Sequence, residues 1–181
     1  MRSLAYVGLV AALVPVPEGW RQESFQFPLP FAKTIPYEGA EQVRFTPQWT
    51  RFSAIDAFSY AVVWDVKARP VSADDLEDHL ETYFNGLMQN VGVARKLETA
   101  AVPASVALHP MTAVPGWSQA FGAEIRTWNA FSKGEQVLLL GEITRRDCAP
   151  GRMQIFFALS QAPRDHATWN GLRALRDATT C

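Results

Sequence analysis

Residues 57–68 alternate. Phe58, Tyr60, Val62, Trp64 and Val66 interleave with Ser59, Ala61, Val63, Asp65 and Lys67. A period of two puts the first set on one face of a strand. The second set is mixed, so its face is partly covered or carries a site. Residues 73–91 hold the other clear period. Leu76, Leu80, Tyr83, Phe84, Leu87 and Val91 recur at helical spacing and form one apolar stripe. Asp74, Glu77, Asp78 and Glu81 fall on the opposite face, where solvation is the simplest reading. Ser72 with Asp75 three residues later has the spacing of a capping box, and Gly92 can end the helix.

Further along the pattern weakens and then returns. Pro103, Pro110, Pro115 and Gly116 break up residues 93–117. Three strands are then expected at about 119–131, 135–146 and 152–160, with Lys133-Gly134 as a tight hairpin turn between the first two. Val137–Leu140 and Ile155–Leu159 are near-continuous apolar runs, the signature of strands covered on both faces. Pro163 opens a last helix over about 164–178, with Trp169, Leu172 and Leu175 inward and Arg164, Arg173 and Arg176 outward. Upstream, residues 15–50 contain Pro15, Pro17, Pro28, Pro30, Pro36 and Pro47, half of the 12 prolines, among many aromatics. That segment reads as short edge strands and turns. Runs of strands with two non-alternating helices define an α+β fold: a mostly antiparallel sheet with a long helix (about 73–91) and a C-terminal helix (about 164–178) packed on it. The layout looks like the PsbP/Mog1-type α/β/α sandwich, a likeness of fold that carries no function.

Composition narrows the class. The chain has 181 residues, 48% hydrophobic and 19% charged, with 17 basic against 18 acidic side chains. The length suits one domain, the apolar fraction excludes a disordered chain, and near-neutrality argues against nucleic acid as a partner. The start, Met1-Arg2-Ser3 followed by an uncharged run from Leu4 to Val14, has the layout of a secretory signal. Residues 1–12 are the expected signal peptide, reaching to about 17 at most, with a single domain over 18–181. A buried first strand is the alternative. No later run is long enough for a transmembrane segment. The two cysteines, Cys148 and Cys181, make an even count, which in an exported chain reads as a disulfide; two free thiols are the other reading.

Several stretches together resemble a family of exported bacterial proteins built on a domain of unknown function. They are Phe27-Pro28 through Phe31-Ala32, Tyr37-Glu38-Gly39 with Glu41, and Arg44-Phe45-Thr46-Pro47 with Trp49. The set continues with Phe58-Ser59-Tyr60-Ala61 and Trp64, Tyr83-Phe84-Asn85-Gly86-Leu87, Cys148-Ala149-Pro150-Gly151, Trp169 and Cys181. The family often has Trp where this chain has Phe58. The resemblance spans about residues 24–181. It implies export and the Cys148–Cys181 disulfide, and supplies no catalytic residue or ligand.

Candidate chemistry is sparse. Gly116-Trp117-Ser118-Gln119-Ala120 lacks the second glycine of a nucleophile elbow and precedes a strand. His79, His109 and His166 have no metal-ligand spacing, so no metal is expected, and no phosphate-binding loop or other cofactor motif occurs. Asp65 with Glu38 or Glu41 could form an acid–base pair if the fold brought them together, since aromatic surroundings raise a carboxyl pKa. Trp20, Tyr37, Trp49, Tyr60 and Trp117 are the candidates for an aromatic-lined binding site, while Trp64 and Trp169 read as core. Three functions follow. The first is a secreted, non-catalytic binding or accessory domain for a small apolar ligand or a protein partner. The second is a two-carboxylate hydrolase. The third is an envelope assembly protein, which would show an exposed apolar patch instead of a cavity.

Overall fold

A computed structural model describes residues 13–97 and 102–181. The expected signal peptide, 1–12, lies outside the described residues. The chain forms an α+β fold whose sheet has seven strands. These are β1 (Arg21–Gln26), β2 (Gly39–Phe45), β3 (Tyr60–Lys67), β4 (Ser105–Pro110), β5 (Gln119–Trp128), β6 (Gln136–Cys148) and β7 (Arg152–Ser160). Helix α1 (Ala73–Ala94) follows β3, and α2 (Thr168–Ala178) follows β7. All neighbours are antiparallel, in the order β1-β2-β3-β7-β6-β5-β4.

Register fixes two faces. Glu41 pairs with Trp64 and Val43 with Val62, so these side chains share one face with Phe157 and Ile155. Helix α1 closes that face with Leu76, Leu80, Tyr83, Phe84 and Met88. The other face carries Ala61, Val63, Phe156 and Ala158 under Trp169, Leu172 and Leu175 of α2. Both faces of β3 and β7 are therefore dry, as the Ile155–Leu159 run requires. Val137–Leu140 departs from the expectation: Leu138 is 40% exposed, because the start of β6 runs out past α2.

Other boundaries shift for local reasons. β3 begins at Tyr60, not 57, because Phe58 takes a left-handed backbone (φ 54°) that no strand sustains. Its ring still joins the cluster, stacked on Tyr60. The β5–β6 connection is wider than a two-residue turn: Asn129 donates its amide to the Glu135 carbonyl and its carbonyl receives the Gly134 amide. Residues after Pro163 form turns, and α2 starts only at Thr168. The Ser72–Asp75 capping box forms in both directions.

Helix α1 also guards an edge. Glu77, Glu81 and Asn85 accept the amides of Leu108 (2.6 Å), Val106 (3.0 Å) and Ala104 (2.7 Å). Four residues of helix rise about 6 Å, close to the roughly 6.7 Å of two strand residues. A polar stripe on α1 thus satisfies the outward amides at the β4 edge and blocks further strand pairing. Glu77 and Glu81 are edge caps, not members of a solvated acidic face.

The ends of the chain are tied together. Cys148 and Cys181 form a disulfide. The Thr180 amide donates to the Leu13 carbonyl, and Val14 is fully buried. The Arg44 guanidinium, itself buried, donates to the Val14 and Pro15 carbonyls and to Gln42. Residues 13–15 thus pack against the domain that the expectation placed at 18–181. No helix among the described residues is long and apolar enough to cross a membrane.

Candidate functional site

Between β1, β2, β3 and α1 lies a cavity of about 310 Å³. Antiparallel pairing stacks Phe25, Glu41 and Trp64 across three strands. The loop after β1 brings Phe31 against Tyr83 at 5.2 Å, edge to face. The turn after β2 folds Trp49 onto Phe45 (4.6 Å), Phe58 (4.7 Å) and Tyr60 (4.9 Å). Phe131, from the β5–β6 connection, closes on Trp49 at 5.2 Å. The wall is therefore largely aromatic, with Val43 and Leu87 between the rings and Arg21, Glu23 and Thr50 as its polar members besides Glu41.

Glu41 is the one carboxylate buried in that wall. Trp64 Nε1 donates to its Oε2 at 2.7 Å, and the Tyr83 hydroxyl donates to its Oε1 at 3.3 Å. Burial raises its pKa from 4.5 to about 7, against the two donated hydrogen bonds, and Glu23 on β1 raises it further. Burial and the Glu41 charge push the Tyr83 and Tyr60 hydroxyls well above their ordinary value. The Tyr60 hydroxyl is buried without a hydrogen-bond partner.

The raised pKa has a sign for stability. The native state holds the Glu41 proton more tightly than the unfolded chain does. The resulting stabilisation is complete below about 4.5 and is lost as pH rises through about 7. Glu41→Gln keeps a neutral group there at every pH. Relative to the parent, the variant should gain at least about 1 kcal/mol between about pH 4.5 and about pH 8. Denaturant unfolding of both proteins across that range checks it, and parallel curves would refute the buried-acid assignment.

The sequence candidates separate in space. Trp49 and Tyr60 line the cavity. Tyr37 stands behind it, against Phe27 and Trp64, with its hydroxyl 3.1 Å from His79 Nδ1. Burial raises the Tyr37 pKa to about 12 and lowers that of His79. Trp20 and Trp117 belong to the opposite face, with the α2 cluster; Arg146 covers the Trp117 ring at 4.2 Å. The five aromatics are thus not one site.

The carboxylates do not converge either. Register pairs Asp65 with Ala40 and Glu41 with Trp64, so Asp65 and Glu41 lie on opposite faces of the sheet. Asp65 is held by both Nε and Nη2 of Arg152. Glu38 is exposed beside Lys67 and lies outside the cavity. The Ser118 hydroxyl donates to the Arg145 carbonyl. Among the described residues no group of His, Cys, Asp and Glu could hold a metal.

Phe25, Phe31 and Phe45, from the aromatic segment 20–49, also line the cavity, as do Tyr83, Leu87 and Phe131, which lie outside that segment. Tyr83 and Leu87 lie in the apolar stripe of α1, and a core stripe and a cavity wall look alike in sequence. Comparison with family models, with curated proteins and with solved structures returns no match.

Proposed function

We propose that this chain is an exported, non-catalytic binding domain that holds a small, largely apolar ligand in the cavity beside Glu41. The observation that carries the reading is the cavity itself. It has about 310 Å³ of space among aromatic walls, one buried carboxyl and an unpartnered tyrosine hydroxyl. Small-molecule sites have this make-up, apolar walls with a few fixed polar groups. The disulfide and the amino-terminal apolar run support export, since disulfides persist in oxidising compartments.

Leu87→Phe tests it. The larger ring should narrow the cavity from the α1 side while the sheet stays intact. The parent should bind 2-phenylethanol, read as tryptophan fluorescence change and a ligand-dependent rise in Tm. The variant should bind at least about tenfold more weakly with its ligand-free Tm kept. Equal binding by both proteins, or no binding by the parent, would remove the cavity as the site.

A further inference from the structure

Three acids are buried among the described residues: Glu41, Asp65 and Glu142. Two of them have arginine partners. Arg152 grips Asp65 with two nitrogens. Glu142 receives Arg173 Nη2 at 2.6 Å, with Arg176 and Arg164 nitrogens at 3.8 and 3.9 Å. Glu41 has only the neutral donors Trp64 and Tyr83. Arg21, at the same cavity, lies over the Phe45 ring at 5.9 Å and makes no ion pair with Glu41.

Resting on the ligand-site reading above, we propose that the missing cation belongs to the ligand: the cavity takes a small aralkyl- or alkylamine whose protonated amino group sits against Glu41. Three features agree. A buried carboxylate is favoured in its charged form by an opposite charge at close range. Aromatic rings attract an ammonium most strongly when water is excluded, and Phe45, Trp49 and Tyr83 line the same cavity as Glu41. An ammonium has three donors. Glu41 retains acceptor capacity beyond its two present bonds, and the Tyr60 hydroxyl is a second acceptor without a partner. The other charged groups at the cavity are Glu23, which favours a cation, and Arg21, which opposes one from the β1 side.

Phenethylammonium and 2-phenylethanol are matched probes that differ at the head group. Titration calorimetry on the full domain should show the ammonium binding at least about tenfold tighter than the alcohol. Its affinity should rise between about pH 6 and about pH 8.5, where the amine stays protonated and Glu41 gives up its proton. Alcohol binding should fall or stay level over that range. Glu41→Gln should bring the ratio of ammonium to alcohol affinity to about one, a readout in which any general change at the cavity cancels. Tyr60→Phe, which deletes only an unpartnered hydroxyl, should lower the ratio of ammonium to alcohol affinity several-fold. Equal affinities for the two probes, or an ammonium preference that survives Glu41→Gln, would overturn the amine assignment and leave the apolar-ligand reading in place. Failure of both probes to bind would overturn both.

Discussion

Replacing Cys148 and Cys181 together by serine should cost about 3–4 kcal/mol of stability. The bridge closes a loop of 33 residues. In the chain-entropy picture a closed loop of that size restricts the unfolded chain by that amount. This is a large share of the roughly 5–15 kcal/mol that keeps a typical domain folded. The native state should change little, because the tail has other anchors. Gln154 donates to the Thr180 carbonyl at 2.7 Å, Arg146 to the Thr179 carbonyl at 2.7 Å, and the Thr180 amide bonds Leu13. Urea unfolding should therefore show a lower midpoint with a steeper slope, since the freed chain exposes more surface when unfolded. Probe binding at the Glu41 cavity, on the other face of the sheet, should be unaltered. Intact mass of the oxidised parent should be lighter than the reduced chain by two hydrogens. A midpoint unchanged by the double substitution would show that the bonded tail alone supplies the stability.

Much of this fold is legible in the residues because burial leaves a period. β3 emerges from alternation, α1 from helical spacing, and β7 from a near-continuous apolar run that matches its burial on both faces. β1 and β2 do not, for a physical reason. β1 is an edge strand of mostly exposed side chains, Arg-Gln-Glu-Ser-Phe-Gln. β2 puts a polar group on each face, Glu41 on one and Gln42 and Arg44 on the other, so its alternation is chemical camouflage for a buried strand. β4 owes its protection to hydrogen bonds from another element, a long-range fact that no local window contains. The site was half visible for the same reason. Glu41, Trp49 and Tyr60 stand out as residues, but their grouping depends on the β2–β3 register. That register also parts Asp65 from Glu41, while Trp20 and Trp117, outside both strands, pack with the α2 cluster on the far side.

Gly86→Ala should destabilise the domain by about 3 kcal/mol or more, although alanine is the better helix former by about 1 kcal/mol. Gly86 lies inside α1, where the loop that follows β1 crosses the helix. A Cβ there would overlap the Phe31 carbonyl oxygen and crowd its carbon. Both are backbone atoms, so no side-chain rotation relieves the clash; helix and loop must move apart. Phe31 is part of the cavity wall and meets Tyr83, which holds Glu41, edge to face. The same substitution should therefore weaken 2-phenylethanol binding as well. Gly171→Ala in α2 is the internal control. Its Cβ would meet Trp20 Cζ2 at 3.5 Å, an ordinary contact. There the propensity gain stands alone, and stability should rise by about 0.5–1 kcal/mol with binding untouched. Opposite signs for one chemical change in two helices would locate the cost in the Gly86–Phe31 crossing. A neutral Gly86→Ala would mean that the loop carrying Phe31 yields freely, and a rigid cavity wall could not then be built on it.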